Sequence, residues 1–268
     1  MPRVIAIANQ KGGVGKTTTA INLGASLAVA ERKTLIVDID PQGNATSGLG
    51  MGHDPTPSIY EVMVEGAPLR EARVEKVHFP YLDVVPANRN LVGAEVELVG
   101  KPEREQVLRR ALEQVRHEYE YILIDCPPSL GLLTLNTLAS ADSVLIPIQC
   151  EFYALEGLSQ LLNTVRVVQR NLNQRLQIEG VLLTMHDQRL NLSRQVADEA
   201  NEYFGNRVYE TVIPRNVRLA EAPSFGKPIV LYDIMSQGAQ SYLNLAKEVM
   251  ARVATGLPDA GLPPERGA

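Results

Sequence analysis

Two lysines and a run of glycines near the start of the chain could bind phosphate. Residues 9–18 read NQKGGVGKTT, and their end matches the phosphate-loop pattern G-x-x-x-x-G-K-[ST]. Gln10 stands where that pattern has its first glycine, and Lys11 adds a second ammonium group. Glycines allow successive backbone N–H groups to point at one anion, and the positive end of a following helix adds to the attraction. We therefore interpret the stretch as a nucleotide-binding loop in which Lys16 reaches the β- and γ-phosphates.

Hydroxyl and carboxylate groups that could hold a metal ion accompany this loop. The Thr17 hydroxyl is the expected Mg²⁺ ligand of such a pattern, and we expect Thr18 to donate to the α-phosphate. The apolar run TLIV is followed by Asp38 and Asp40, and the apolar run YILI ends at Asp125. Open α/β sheets bind ligands at the carboxyl ends of their strands. The aspartates are therefore predicted to lie beside the loop.

A scaffold of alternating strands and helices must position these groups. Short apolar runs predict strands at Val4–Ala8, Thr34–Val37, Leu82–Val85, Tyr121–Ile124, Ser143–Ile148, Gly180–Thr184 and Val208–Val212. Helix-period segments lie at Thr17–Val29, Arg104–His117, Leu132–Leu138, Leu155–Asn171, Arg194–Phe204 and Gln240–Val253. Apolar strands separated by helices indicate an α/β fold, a doubly wound, mostly parallel sheet with helices on both faces. We predict a single P-loop NTPase domain over residues 1–255 and a disordered tail over 256–268, which is rich in glycine and proline.

The composition limits the class of protein. The chain has 268 residues, of which 45% are hydrophobic and 21% charged, with a net charge of −5. An acidic chain does not attract nucleic acid as a whole, so DNA binding would need a local basic patch. Cys126 and Cys150 are too few for a disulfide framework and are expected to be small buried hydrophobes. We find no export leader and no apolar run of membrane-spanning length, and therefore expect a cytoplasmic protein that binds no membrane.

The segment KGGVGKTT resembles the deviant Walker A loop K-G-G-x-G-K-[ST]. That loop marks a family that includes the partition ATPases ParA and Soj, the division-site ATPase MinD and nitrogenase iron protein. The resemblance implies that the cofactors are ATP and Mg²⁺, and that Lys11 reaches the nucleotide of a second subunit. It also implies that Asp40 orients the attacking water and that Asp125 is the Walker B aspartate. The predicted catalytic residues are thus Lys11, Lys16 and Asp40, and the predicted metal ligands are Thr17, Asp40 and Asp125. The predicted nucleotide contacts of the loop are Lys11, Gly12, Gly13, Val14, Gly15, Lys16, Thr17 and Thr18.

Residues 209–229, YETVIPRNVRLAEAPSFGKPI, resemble the chromosome-partitioning branch of this family. The resemblance implies that Pro214 and Asn216 contact adenine. It also implies phosphate contacts with DNA, without sequence readout, by Arg189, Arg218, Arg194, Arg215 and Lys227. The expected partners are a second copy of the chain, non-specific double-stranded DNA and a ParB-like centromere-binding protein. The implied function is ATP-driven DNA segregation at the nucleoid.

Other classes of protein share this loop, and the sequence argues against some of them more strongly than against others. A MinD-like membrane regulator would need a basic amphipathic C-terminal helix, and residues 256–268 contain Arg266 alone as a basic residue. An iron–sulfur reductase would need cluster-ligating cysteines, and neither cysteine falls at such a position. A tyrosine kinase of this loop type would end in a tyrosine cluster, which the sequence lacks. A metabolic ATPase or ligase remains possible, as does a related ATPase that positions another cargo.

Overall fold

A six-stranded parallel sheet forms the centre of the computed structural model, which describes residues 2–52, 54–151 and 156–255. Its strands are β1 Arg3–Ile7, β2 Thr34–Asp38, β3 Leu82–Val85, β4 Tyr121–Asp125, β5 Ser143–Gln149 and β6 Gln177–Thr184. They lie in the order β3-β2-β4-β1-β5-β6, and each neighbouring pair is parallel. The predicted α/β fold with a parallel sheet is confirmed.

Helices cover both faces of this sheet. They are α1 Lys16–Val29, α2 Asn44–Gly48, α3 Leu69–Ala72, α4 Leu91–Glu97, α5 Val107–Glu113, α6 Leu132–Ser140, α7 Glu156–Asn171, α8 Asn191–Phe204, α9 Val217–Glu221, α10 Ile229–Tyr232 and α11 Gln237–Thr255. Single-turn 3₁₀ or π segments lie at Glu61–Glu65, Arg104–Gln106, Arg116–Glu118, Gly205–Arg207 and Ala222–Phe225.

Alternate strand residues supply apolar cores on both faces of the sheet. Ile5, Ile7 and Leu123 belong to the core that includes α1 and α11. Val4 and Ala6, their neighbours along β1, belong to the core formed with α4 to α8. Successive strand side chains point to opposite faces, so a strand between two helix layers is apolar throughout. This double burial explains why unbroken apolar runs marked the strands in the sequence.

The predicted strand Val208–Val212 is wrong. Val208 forms only an isolated bridge with Val181 at the outer edge of β6. The amides of Glu210 and Thr211 are bonded instead to the Glu248 carboxylate of α11, at 2.9 and 3.0 Å. Tyr209 and Ile213 still donate to the Val181 and Leu183 carbonyls of β6, both at 2.9 Å, so the segment lies along β6 but lacks the continuous ladder of a seventh strand.

The predicted helix Arg104–His117 is divided into three short pieces. Only Val107–Glu113 is α-helical, and single 3₁₀ turns lie on either side. Gln114 and Val115 donate to residues three positions back, at Ala111 and Leu112, which is the 3₁₀ pattern. The last helix begins three residues before the predicted Gln240, at Gln237. Leu155 and the predicted tail 256–268 lie outside the described residues.

The topology brings the candidate site together at one edge of the sheet. β1 lies between β4 and β5, so the connections run in opposite directions on its two sides. Such a switch point leaves a crevice beyond the carboxyl ends of the strands. Ile7 and Asp38 are each in register with Asp125. The phosphate loop and two of the aspartates therefore leave the sheet at the same level.

Candidate functional site

The predicted phosphate loop joins the end of β1 to the first turn of α1. Gly13 and Gly15 have positive φ angles of 75° and 88°, which glycine adopts without steric cost. Gly15 is the N-cap of α1 and accepts the helical bond of Thr19 at 2.9 Å. The N–H groups of the first helical turn have no partner within the helix. They are therefore available to an anion held by the loop.

Neighbouring strand ends hold the loop in place. The Thr184 hydroxyl, at the end of β6, donates to the Val14 carbonyl at 2.9 Å. The Asn9 amide donates to the Pro147 carbonyl at 2.7 Å, and its oxygen accepts from the Lys11 N–H at 3.0 Å. Sequence reasoning missed Thr184 and Asn9, because their roles depend on strands that are far apart in the chain.

The two lysines of the loop occupy different environments. Lys16 is only 6% exposed, and its Nζ donates to the Lys11 carbonyl at 3.2 Å. Burial lowers the pKa of Lys16, while the nearby carboxylate of Asp125 acts in the opposite direction. Lys11 is half-buried, and its ammonium makes no hydrogen bond or ion pair with residues in the described ranges. Lys16 is thus part of the loop interior, and Lys11 is free to contact something else.

Asp125 is a buried carboxylate with unused oxygens. It is fully buried, and neither of its oxygens accepts a hydrogen bond from the described residues. Burial raises the pKa of Asp125 well above its usual value, and the neighbouring carboxyl of Asp38 acts in the same direction. The nearby Thr17 hydroxyl acts in the opposite direction, although its geometry is not that of a hydrogen bond to either Asp125 oxygen. Unpaired buried charges are costly unless they coordinate a metal or find a partner. This arrangement fits a ligand of a divalent cation.

Asp38 and Asp40 are already engaged within the protein. Asp38 accepts bonds from the Asp40 N–H at 3.2 Å and from the Thr46 N–H and hydroxyl at 2.8 and 2.7 Å. Burial nevertheless raises the pKa of Asp38 to about 6. Asp40 is 6% exposed, and its Oδ1 accepts from the Gln42 N–H at 2.9 Å. Asp40 therefore stands in an ordered turn, with its second oxygen open to other partners.

These acids do not make a metal site by themselves. Within the described ranges, no three His, Cys, Asp or Glu side chains are grouped closely enough to hold a metal ion. Magnesium in nucleotide sites usually takes one or two carboxylates together with phosphate oxygens. The pairing of Asp125 with the nearby Thr17 hydroxyl fits that kind of shared site, in which a nucleotide supplies the remaining ligands.

A cavity of about 420 Å³ opens beside the loop. Pro214 and Asn216, the predicted base contacts, line it together with Gly15 and Thr18 of the loop. Asn216 also caps α9, where its side-chain oxygen accepts from the Leu219 N–H at 3.3 Å. The structure thus brings two segments about 200 positions apart to one cavity. Sequence reasoning missed other lining residues, including Met185 and Tyr242.

Met185 has an unusual backbone conformation at this cavity. Its φ angle is 50°, in the left-handed region, which is uncommon for a residue other than glycine. Such strain tends to occur where function or tertiary structure imposes it. The next residue, His186, is bonded through its N–H to the Ile213 carbonyl at 3.0 Å. The segment after β6 is therefore held against the segment that carries Pro214.

Three of the predicted DNA-contacting arginines form ion pairs. Arg189 is paired with Asp187 at 2.7 Å, and Arg215 with Glu151 at 2.8 Å. Arg218 is paired with Glu221 at 3.0 Å and with Asp233 at 3.5 Å. All three guanidinium groups are more than half exposed. The chain thus presents its arginines together with carboxylates that partly neutralise them.

The predicted DNA contacts come from segments that only partly coincide. The Arg215 N–H donates to the His186 carbonyl at 3.3 Å, so the segments that carry Arg189 and Arg215 run side by side. Arg194 lies in the first turn of α8 and donates to the side-chain oxygen of Asn191. Lys227 is exposed in the turn before α10. The structure therefore brings the segments of Arg189 and Arg215 together, whereas Arg194 and Lys227 lie on other elements.

Both cysteines are buried and free, as predicted. Burial raises the pKa of the Cys150 thiol to about 12 and that of Cys126 further. Thiols held neutral in this way are poor nucleophiles. Among the helices that the structure describes, none is both long and apolar enough to cross a membrane.

Comparison with known proteins gives consistent matches over nearly the whole chain. A family model described as an AAA domain matches residues 2–178. The chromosome partitioning protein ParA of Myxococcus xanthus is 61% identical over 251 residues, which are 93% of this chain and 88% of that protein. The sporulation initiation inhibitor protein Soj of Bacillus subtilis is 61% identical over 252 residues, 94% of this chain and 99% of that protein.

A solved structure with a different name also resembles this fold. It is described as cobyrinic acid a,c-diamide synthase of Mycobacterium smegmatis and contains bound ADP and magnesium. The two proteins are 36% identical, with a TM-score of 0.82 and complete coverage of both chains. A second crystal of that protein contains an ATP analogue and magnesium.

Proposed function

The chain belongs to the ParA/Soj family of chromosome-partitioning proteins, and from that premise we propose that it is a Mg²⁺-dependent ATPase whose ATP-bound dimer binds DNA. The partner that stimulates hydrolysis is a ParB-like centromere-binding protein. Hydrolysis separates the subunits and releases them from DNA, so that a DNA-bound partner can follow the retreating ATPase and separate sister chromosomes. Residues 1–255 carry this cycle, in the cytoplasm and at the nucleoid.

The observation that carries the proposal is the unpartnered carboxylate of Asp125 beside the phosphate loop. Both its oxygens are buried without hydrogen-bond donors among the described residues, and the adjacent Lys16 ammonium is almost fully buried. Mg²⁺·ATP satisfies both groups at once, because the cation binds carboxylate oxygens and the triphosphate binds ammonium and backbone N–H groups. The M. smegmatis neighbour, crystallised with an ATP analogue and magnesium, supports this assignment.

Each residue of the site has a separate task in the reaction. Lys16 and the N–H groups of residues 13–17 bind the phosphates and stabilise the charge that spreads over them in the transition state. Thr17 and Asp125 hold Mg²⁺, which neutralises phosphate charge when it is bound. Asp40, whose charge also acts on Asp125, orients the attacking water and contributes to the metal site. Pro214 and Asn216 form the part of the cavity that takes the adenine base.

Lys11 is the residue that makes hydrolysis depend on a dimer. Its ammonium has no partner among the side chains that the structure describes, and its backbone N–H is fixed by Asn9 at 3.0 Å. In the proposed dimer it contacts the phosphates bound by the other subunit, where a cation stabilises developing negative charge as an arginine finger does. A cation delivered in this way links the nucleotide state to self-association.

The test is size-exclusion chromatography with ADP or a non-hydrolysed ATP analogue, each with Mg²⁺ and repeated with a random DNA duplex. We expect a monomer with ADP, a dimer with the analogue, and co-elution of DNA with the dimer only. Lys11→Ala should bind the analogue and remain monomeric. Lys247→Ala, which removes an exposed lysine of α11, is the control and should dimerise. A wild-type chain that stays monomeric with the analogue would refute the dimer-based cycle.

A second candidate function follows from the structural neighbour that is described as a synthase. Its 36% identity is well below the 61% of the partition proteins, so we give partitioning priority. ATP turnover that increases with cobyrinic acid, and not with DNA and a ParB-like protein, would favour the synthase.

A further inference from the structure

Three donors converge on the buried carboxylate of Asp38, unlike that of Asp125. They are the Asp40 N–H at 3.2 Å, the Thr46 N–H at 2.8 Å and the Thr46 hydroxyl at 2.7 Å. All three groups are nearly or completely buried. One carboxylate at the end of β2 therefore fixes both ends of the segment that runs from Asp40 to Thr46.

The Thr46 hydroxyl extends this connection to a third element. Its oxygen accepts from the Ala87 N–H at 2.9 Å while its proton is donated to Asp38. Ala87 lies just beyond the carboxyl end of β3. A single hydroxyl thus joins the ends of two neighbouring strands to α2.

Apart from Ala45, which is fully buried in an apolar cluster with Ile21 and Ile36, the segment between the two anchors makes few tertiary contacts. α2 has only 5 residues, and a helix that short is not stable without tertiary contacts. Gln42 and Asn44 are exposed, and Gly43 has a φ angle of 60°. The remaining bonds to Asp40 are local, from the Gln42 N–H to its side chain and from the Gly43 N–H to its carbonyl. The position of Asp40 therefore depends on Asp38 and Thr46.

We propose that Asp38 and Thr46 are positioning residues for ATP hydrolysis: together they hold the turn on which Asp40 orients the attacking water. Neither residue lines the cavity beside the loop, and their side chains bond within the protein, so we expect them to act on the rate of the chemical step and not on the affinity for ATP. This inference rests on the proposed function, because it assumes that Asp40 serves hydrolysis. A buried carboxylate is costly when compared with an apolar side chain. The three hydrogen bonds that Asp38 accepts from Asp40 and Thr46 offset this cost and hold the turn that carries Asp40.

The test compares Thr46→Val with Thr46→Ser and with Ser47→Ala. Valine keeps the shape of threonine but removes the hydroxyl, whereas serine restores it. Ser47 is the adjacent residue of α2, and its hydroxyl bonds only to the Asn44 carbonyl of the same helix at 3.4 Å, so Ser47→Ala is a matched control. The readouts are the single-turnover rate of bound ATP, the Kd for a non-hydrolysed analogue, and dimerisation with that analogue.

We expect Thr46→Val to lower the single-turnover rate about tenfold or more, since displacements of about 1 Å in a catalytic group have effects up to about a hundredfold. The analogue Kd should stay within about twofold, and the dimer should form, because binding and chemistry are affected separately. Thr46→Ser should recover most of the rate. Hydrogen exchange of residues 41–47 in the analogue complex should increase for Thr46→Val and not for Ser47→Ala.

A wild-type rate for Thr46→Val would overturn the inference, as would a loss of affinity that matches the loss of rate. If Thr46→Val does not fold, Asp38→Asn is measured in the same way, and the same two outcomes decide. The proposed function fails separately: in that case the wild-type chain itself would show no hydrolysis above the Asp40→Ala variant.

Discussion

Two aspartates at the ends of neighbouring strands, Asp38 and Asp125, show how the same side chain can serve different purposes. They are in register across β2 and β4, and both are fully buried. Asp38 is satisfied by donors from its own chain, whereas Asp125 has none within the described residues. The first is thus a structural anchor, whereas the second is a buried group without donors, which costs stability and which the proposed site assigns to Mg²⁺.

That cost should be measurable in the nucleotide-free protein. Burial raises the pKa of Asp125, so the folded chain retains a proton that the unfolded chain loses above its ordinary pKa. The free energy of unfolding therefore decreases as the pH rises through that range. Asp125→Asn cannot ionise and therefore avoids the cost of placing a titratable carboxyl in this buried position, so at pH 8 it should be more stable than the wild type by about 1 kcal/mol or more.

Urea unfolding at pH 4 and pH 8 tests this prediction. At pH 4 the difference should shrink, because the wild-type carboxyl is then protonated in the folded state and, close to its ordinary pKa of 3.8, only about half ionised in the unfolded state. Asp198→Asn, an exposed change on α8, is the control and should show no such trend. Mg²⁺·ATP should stabilise the wild type and not Asp125→Asn. An Asp125→Asn protein that is less stable at both pH values would contradict the account.

Arginine ion pairs give a second prediction at the scale of residues. The Arg189 guanidinium holds the pKa of Asp187 down at about 2, so this carboxylate is charged at any working pH and competes with DNA phosphate for Arg189. Exposed pairs of this kind are weak. Asp187→Asn should therefore raise the affinity of the dimer for DNA modestly, about two- to fivefold per protomer.

Fluorescence anisotropy with a random duplex over a range of salt concentrations measures this effect. The slope of log K against log salt should become steeper by at most about 0.9 per protomer, since Arg189 then binds phosphate without first leaving Asp187. Arg189→Glu should weaken binding. Asp198→Asn changes the charge equally and should have little effect. Equal affinities for Asp187→Asn and wild type, together with a loss for Arg189→Glu, would show that the ion pair does not compete.

Residue types and spacing identified the phosphate loop because its chemistry is local in the chain. The same reasoning could not reveal Thr46, Thr184 or Met185, whose roles arise from contacts with distant strands. It also placed arginines at a surface without their acidic partners. Glu151 lies 64 positions from Arg215, and no local pattern connects them.

Elements were predicted well where both faces of a segment are buried and poorly where side chains replace backbone partners. The apolar runs of β2 and β4 gave nearly correct bounds, because strands between two helix layers are apolar throughout. The segment Val208–Val212 has the same appearance, yet Glu248 accepts from two of its amides, those of Glu210 and Thr211. Short helices such as α2 and α9 have too few turns to show a period.

Close packing of α1 on β2 gives a prediction at the scale of elements. A Cβ atom at Gly24 would lie 2.7 Å from Cδ1 and 2.9 Å from Cγ1 of the buried Ile36. Gly24→Ala gains about 1 kcal/mol of helix propensity, but overpacking costs about 1–3 kcal/mol. We expect a small net loss of stability. Removing Cδ1 by Ile36→Val should relieve part of the clash.

Thermal unfolding of the two single variants and the double variant forms a thermodynamic cycle. Ile36→Val alone should cost about 0.5–1.5 kcal/mol, and the double variant should lose less than the sum of the single losses. A change of 1 kcal/mol corresponds to about 2–4 °C in Tm for chains of this approximate size. Additive losses would mean that Gly24 and Ile36 do not contact each other as described.

At the scale of the whole molecule, net charge and self-association are connected. The chain carries a net charge of −5, and three of the arginines predicted to contact DNA are paired with acids, so one protomer offers DNA only a weak surface. Two such surfaces in a dimer act together, because the second contact becomes intramolecular. DNA retention should therefore report the dimer, and a variant that blocks only dimerisation should lose DNA.

A substitution at Gly12 should block dimerisation without affecting the protomer. It is exposed, a Cβ atom there would meet nothing within 4 Å in the protomer, and its φ angle is outside the positive region. Gly12→Val should therefore leave the fold nearly unchanged, and an ATP analogue should still bind, because the predicted nucleotide contact of Gly12 is made by its backbone. In the proposed dimer the loop of one subunit approaches the other, so the added side chain should block association and reduce DNA retention to the monomer level. Gly100→Val, at a glycine that is equally open and exposed, is the matched control and should dimerise normally. If light scattering with the analogue shows that both variants dimerise alike, the phosphate loop does not lie at the interface, and the basis for placing Lys11 across it is lost.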